Sequence, residues 1–305
     1  RIPILPGKVS AQTNQLKTVV DACIANGVYA IIDWHSMENA QAAAASAFFK
    51  TMATEYGNTP NVMYEPWNEP VQENWTTIKA YHTQVIEAIR SVDPDNIIIC
   101  GNPQWDQRPD LVAANPITVS TNIAYSVHFY SATHKQAFRN NAKAALDKGL
   151  ALFATEYGAS EATGNGTFDA AETQAWWTFL DANGVGSSNW SVSALGETSA
   201  AFKNGASATN WTDSDLKPSG ALVKAYIISK YESSMTTGLN TDGRLGYGMG
   251  KWPVHSSATN AAEAPDIYAI DGTRIFPVPK EQPSHRGNIL WNASVGKAER
   301  LRITR

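Results

Sequence analysis

A parallel α/β fold of the barrel type, with strands alternating with helices around a common wall, is predicted by three observations. Apolar runs of strand length centred near residues 31, 63, 98, 126, 153 and 188 recur about every 30 residues. A segment of helical periodicity separates each run from the next, the signature of repeated βα units. The polar residues with chemical potential collect at the ends of the runs, where barrel strands meet solvent and functional groups gather.

Taken in order, RIPIL reads as the end of one strand. Residues 11 to 26 form a helix through Leu16, Val19, Val20, Cys23 and Ile24, ended by Asn26-Gly27. GVYAIIDWHS is a buried strand whose polar residues arrive at its end, and a helix from about Asn39 to Tyr56 follows. In NVMYEPWNEP the run Val62, Met63, Tyr64 is too short for a helix and is bracketed by Pro60 and Pro70, so the chain leaves the sheet just after Glu69. A helix is expected to start at Pro70, with the stripe Ile78, Tyr81, Val85, Ile89, and to stop at Asp93-Pro94. NIIIC, NIAYSVHFY, ALFATEYG and GVGSSNWSVS are further strands. Helices are expected over about His134 to Leu146, over residues 169 to 183 with Trp176, Trp177 and Leu180, and from Leu222 to Tyr231. This makes six whole strands and one partial strand, where a closed eight-fold barrel needs eight.

The 305 residues suffice for one barrel of roughly 250 residues and an appendage. A net charge of −4 argues against nucleic acid as a partner, since phosphate binding calls for a basic stripe. No run approaches the roughly 20 apolar residues of a membrane span. RIPILPGKVS is not a signal peptide, and the chain reads as starting inside a domain. Cys23 and Cys100 give neither a disulfide framework nor a metal spacing. Ten Trp and eleven Tyr are many for this size, and aromatic rings in a cleft are the usual platform for sugar faces, although most will be core. From about Ser233 glycines cluster, helical periodicity ends, and short runs such as DIYAI, TRIFPV and ERLRITR alternate with turns. A boundary is expected there, dividing a barrel over 1–232 from a β-rich or irregular extension over 233–305.

Glu69 and Glu156 end two predicted strands three βα units apart, and in a barrel such positions face each other across the top of the sheet. Cleaving a glycosidic bond needs such a pair, one acid to protonate the leaving oxygen and one carboxylate to support positive charge at the anomeric carbon. Taken singly, each reads better as a rim carboxylate in a salt bridge; the pair together with its neighbours favours the catalytic reading. His35, Asn68, His128, Tyr130, Trp190 and Arg1 also lie at strand ends. Asn68 suits a sugar 2-hydroxyl, Tyr130 can orient Glu156 by a hydrogen bond, and Trp190 can floor a sugar ring. For His35 or His128 alone the competing reading is a satisfied core histidine. Asp33 and Glu65 precede the rim and are assigned structural roles in hydrogen bonds inside the barrel.

NVMYEPWNEP, IIDWHS, SVHFYSATHK, LFATEYG and SSNWSVS, in this order, resemble glycoside hydrolase family 5, in particular its bacterial endoglucanases. The resemblance covers residues 1 to about 231. It implies a retaining hydrolase on a (β/α)8 barrel acting on β-1,4-glucan. Glu69 would be the acid/base and Glu156 the nucleophile, with Arg1, His35, Asn68, His128, Tyr130 and Trp190 completing the site. Trp105 in NPQWDQ would floor the leaving-group side and Glu197 would bind sugar on the other. No cofactor or metal is implied, and the enzyme would be secreted or at the cell surface. Family members carry a first strand, its helix and most of a second strand before the position of Arg1. A gap in the wall is therefore expected between the strands at Trp190 and Arg1. Where relatives often place a lysine, this chain has Leu195. The tail is loosely similar to C-terminal sorting or attachment modules, and His255 and His285 within it are read as solvent-exposed. A mannanase or other β-glycan hydrolase on the same barrel, and a non-catalytic glycan-binding remnant, are the competing readings.

Overall fold

Short runs of β-branched and aromatic residues, each closed by a turn, form one parallel sheet in the computed structural model, which describes residues 1–38, 40–207, 209–237, 267–268 and 274–275. Its strands are β1 (Ile2–Ile4), β2 (Ala30–Trp34), β3 (Val62–Glu65), β4 (Ile98–Cys100), β5 (Ile123–Tyr130), β6 (Leu152–Gly158) and β7 (Gly186–Asn189), hydrogen-bonded in sequence order. Helices α1 (Val9–Ala25), α2 (Ala42–Tyr56), α3 (Trp75–Arg90), α6 (Gln136–Leu146), α7 (Ala170–Ala182) and α8 (Pro218–Thr237) alternate with them, and two single turns, α4 (Pro103–Asp106) and α5 (Pro109–Val112), follow β4. The order and direction are those of consecutive strands of a (β/α)8 barrel.

The sheet is strongly curled. β1 and β6 are five strand spacings apart, roughly 24 Å if flat. Yet Arg1, beside β1, reaches Glu156 on β6 at 2.6 Å. The curl divides the apolar residues into an outer layer between sheet and helices, with Trp34, Phe49, Tyr64, Ile78, Ile86 and Phe129, and a small inner one of Ile31, Met63, Ile99 and Ala124. Side chains two residues apart share a face. Asp33, Glu65 and Ser126, two residues beyond Ile31, Met63 and Ala124, therefore stand directly above the inner apolar layer, and all three are fully buried.

Most predicted elements are present, with shifts at their ends. The helix expected from Pro70 starts at Trp75. The side chain of Asn74 accepts a hydrogen bond from Thr77 N and caps it there, while the Pro70 carbonyl is turned away to accept from Trp105 N. The last helix starts earlier than its apolar stripe, at Pro218, a residue suited to a first helical position. Beyond it, β8 (Ile267–Tyr268) and β9 (Arg274–Ile275) pair antiparallel within the runs DIYAI and TRIFPV. ERLRITR, His255 and His285 lie outside the described residues. Among those described, no helix is long and apolar enough to cross a membrane.

Candidate active site

Above the Asp33–Glu65–Ser126 layer, the strand ends converge on Arg1. Its guanidinium donates to Glu65 Oε2 at 2.5 Å, Glu156 Oε2 at 2.6 Å and Asn68 Oδ1 at 2.5 Å, and lies 3.2 Å from Asp33 Oδ2. Tyr130 donates its hydroxyl to the other Glu156 oxygen at 2.7 Å. Gly158 makes room for that ring, since a Cβ there would sit 2.5 Å from Tyr130 Cδ1. Glu69 Oε1 lies 2.8 Å from His128 Nδ1, and the far ring nitrogen lies 2.8 Å from Thr155 Oγ1. His35 is 2.8 Å from Asp33 and stacks on Trp190, centroids 5.4 Å apart and planes at 4°. Glu69, His128 and Glu156 each bring an atom within 4.8 Å of the others.

Burial by itself pushes the Glu156 carboxyl up, but the charge of Arg1, then His128 and the Tyr130 hydroxyl, outweigh it and hold Glu156 below the usual carboxylate range. Burial opposes ionisation of Glu65 as well, and Arg1 and His128 bring it down to about 2. Burial also works against a charge on His128, yet the carboxylates of Asp106, Glu65 and Glu69 around it hold the ring well above the ordinary histidine range. Glu65 is thus the ionised floor of the site, as its place inside the barrel implied.

The structure brings Arg1, His35, Asn68, Glu69, His128, Tyr130, Glu156 and Trp190 together. Trp105 stands on the rim, 41% exposed, linked through its backbone to the residue after Glu69. Glu197 is apart. No described hydrogen bond or ion pair joins it to the group around Arg1, and it lines a separate cavity of about 230 Å³ with Phe168, Thr198, Lys217 and Ser219.

Two residues escaped the sequence reading. Thr155 donates to Glu65 Oε1 at 2.7 Å, so it faces inward although its neighbour Glu156 also does. A regular strand sends neighbours to opposite faces; β6 does not, because its register shifts against both β5 and β7 here. Asp106 is fully buried with Oδ2 3.5 Å from His128 Nε2. It reaches that place through a left-handed turn in which Gln104, Trp105 and Asp106 have φ near 59°, 57° and 58°. Such a run costs about 1 kcal/mol or more per residue and is not written in the local sequence. Glu65, Asp106 and His128 offer donor atoms as close together as metal ligands would be. Glu65 Oε1 already accepts the Thr155 hydroxyl and both ring nitrogens of His128 are engaged, while Asp106 Oδ2 has no hydrogen-bond partner.

Comparison with known proteins identifies relatives of this chain. Residues 5–196 match the family model described as cellulase, glycosyl hydrolase family 5. The chain is 45% identical over 233 residues to endoglucanase Z of Dickeya dadantii, covering 75% of this chain and 52% of that protein. It is 43% identical over 235 residues to an endoglucanase of Clostridium saccharobutylicum, again covering 75% and 52%. The chain thus spans about half the length of these curated relatives. A solved structure from Cytophaga hutchinsonii superposes with a TM-score of 0.72 at 45% identity, over 75% of this chain and 76% of that one. The catalytic domain of Thermobifida fusca endoglucanase Cel5A gives 0.66 at 32%, over 70% and 73%. Strand order, the polar layers above the inner apolar floor and these similarities together establish that the chain belongs to the cellulase family, glycosyl hydrolase family 5.

Proposed function

We propose that this chain hydrolyses β-1,4-glucan at internal bonds with retention of configuration, Glu156 acting as nucleophile and Glu69 as acid/base. The observation that carries the reading is the approach of the two carboxylates, with an oxygen of each within 4.8 Å. Retaining enzymes hold their carboxyl groups about 5 to 5.5 Å apart, whereas inverting ones leave about 6.5 to 9.5 Å for a water. In the first step the ionised Glu156 attacks the anomeric carbon as Glu69 gives its proton to the departing glycosidic oxygen. In the second, Glu69 takes a proton from water, which displaces Glu156. Arg1 and Tyr130 suit Glu156 to attack, because they favour its charged form. Asn68 would bind the 2-hydroxyl, Trp190 with His35 behind it would carry one sugar face, and Trp105 would carry a sugar on the leaving-group side. Glu197 would meet the chain further out. The names of the endoglucanase relatives support a β-glucan substrate. A polymeric substrate implies work outside the cell or at its surface.

The test is a panel of soluble glucans and mannans. Reducing ends are expected from carboxymethylcellulose, with proton NMR showing the β anomer as the first product. A first-formed α anomer would overturn retention, preference for mannan would overturn the substrate, and no release from any member would favour a glycan-binding remnant.

A further inference from the structure

The buried polar cluster holds five acids, Asp33, Glu65, Glu69, Asp106 and Glu156. Arg1 contacts three of them, Asp33, Glu65 and Glu156. Glu69 and Asp106 remain, and they flank His128, one on each side of the ring. Glu69 lies at Nδ1 at 2.8 Å and Asp106 at Nε2 at 3.5 Å. Asp106 Oδ1 accepts the Asn102 N–H at 2.5 Å, while Oδ2 has no hydrogen-bond partner and is aimed at the ring. The turn that carries it is built for this position. Asn102 donates its side chain to Ser126 O at 2.7 Å and accepts from Arg108 N at 2.9 Å, and Gly101 lies so close to Trp67 that a Cβ would meet its carbonyl at 2.5 Å.

We propose that Asp106 is a positioning residue for the proposed hydrolysis: its carboxylate is the counter-charge that lets His128 stay an imidazolium, which through Nδ1–H fixes Oε1 of Glu69 and leaves its other oxygen to carry the leaving-group proton. The argument is one of charge. A buried imidazolium beside a protonated Glu69 is costly unless an anion lies close to the ring itself. Glu65, 3.6 Å from Nε2, is already engaged by Arg1. Asp106, 3.5 Å from Nε2, is the acid at that end of the ring that Arg1 does not touch. The other titratable groups in this part of the barrel do not compensate it. His82 on α3 and His134 after β5 are pushed down to about 4 by burial and are neutral in the working range. Burial pushes the Cys100 thiol of β4 and the Tyr130 phenol up, and both stay uncharged. Thr155 supplies only a hydroxyl, and the remaining acid, Glu156 on β6, is paired with Arg1.

The proposal rests on the assignment of Glu69 as acid/base, and the experiment separates the two. The protonation of His128 is followed by NMR of ring-labelled histidine through pH 5 to 9, its signals assigned with His128→Asn. An imidazolium at pH 7 is expected in the native protein and a neutral ring in Asp106→Asn. In parallel, the alkaline limb of kcat/KM on a soluble cello-oligosaccharide is expected to move about one unit towards acid in Asp106→Asn, about a tenfold loss at high pH against less than about twofold at pH 5.5. Burial pushes the Asp106 carboxyl well above its ordinary range; a neutral His128 at pH 7 in the native protein overturns the proposal without any variant. So does a charged His128 in the folded variant with an unmoved rate profile. An Asp106-dependent imidazolium together with a Glu69→Gln enzyme indifferent to the leaving group would instead sink the acid/base reading and leave the charge pairing standing.

Discussion

The two glutamates occupy similar strand ends and nearly equal burial, 7% and 6% exposed, yet they are held in different ways. Glu156 is fixed by Arg1 and by the Tyr130 hydroxyl, which keep their charge and their proton throughout the working range. Glu69 is fixed through its side chain by His128, a group whose charge can change. Similar positions on similar strands thus receive a constant environment in one case and a titratable one in the other. Under the proposed roles, this difference is what would set two carboxylates in one polar pocket to different tasks.

The comparison breaks most sharply on amide replacement. Glu156→Gln removes the proposed nucleophile and is expected to lower turnover by roughly 10⁴-fold on every substrate. Glu69→Gln is expected to cost about 10²- to 10⁴-fold on glucan but to leave the first step largely intact on an aryl cellobioside with a good leaving group, which needs little protonation. Burst kinetics separate the two, and equal losses on both substrate types would remove the distinction.

Arg1→Met tests the constant side. Arg1 and the carboxylates it binds are almost fully buried, so the variant leaves acids without their cation and should lose about 3 to 5 kcal/mol of stability near pH 7, measured by denaturant unfolding. The sign follows from Glu65. Its carboxyl sits lower folded, at about 2, than unfolded, so its stabilisation is complete above the unfolded value of roughly 4.3 and fades as pH falls towards 2. The native protein should therefore lose stability in acid more steeply than the variant. Because Arg1 also holds Glu156 down, the acid limb of the rate profile should move to higher pH.

The smallest expected effect sharpens the comparison on Glu69's side. Trp105→Ala removes an exposed ring beside the Glu69 loop, and a stacking contact of about 1 kcal/mol predicts a fivefold rise in KM with little change in the hydrolysis of the glycosyl-enzyme. Steady-state kinetics on cello-oligosaccharides of increasing length check it.

How much was legible beforehand divides along the same physical line. The strand-end residues were readable because a parallel strand buried on both faces is apolar until it reaches the rim, so Asn68-Glu69 and Glu156 stand out against Val62 to Tyr64 and Leu152 to Ala154. The hydrogen bond from Tyr130 to Glu156 was readable because both residues stand at the ends of adjacent strands, although their register, His128 opposite Glu156, depends on an irregularity between those strands. Thr155 was not readable, because the strand irregularity that turns it inward depends on how β6 meets two neighbours. Asp106 was hidden in a turn whose left-handed backbone is imposed from outside by Ser126, Pro70 and Trp67. The helix expected at Pro70 was misplaced because proline marks a permitted start and not a required one, and the stronger cap is Asn74.

The segment after Trp190 is anchored by its main chain. Lys217 donates to the carbonyls of Leu195 and Glu197, Ser219 to those of Thr198 and Ala200, and Thr198 and Ser199 donate backbone N–H groups to Asn165 and Gly164. None of these bonds depends on the side chains of Val192 or Leu195, which are 84% and 54% exposed. Selection can therefore rewrite those two positions at little thermodynamic expense, and this stretch is a natural place for closely related chains to diverge in what they accept while their chemistry stays the same.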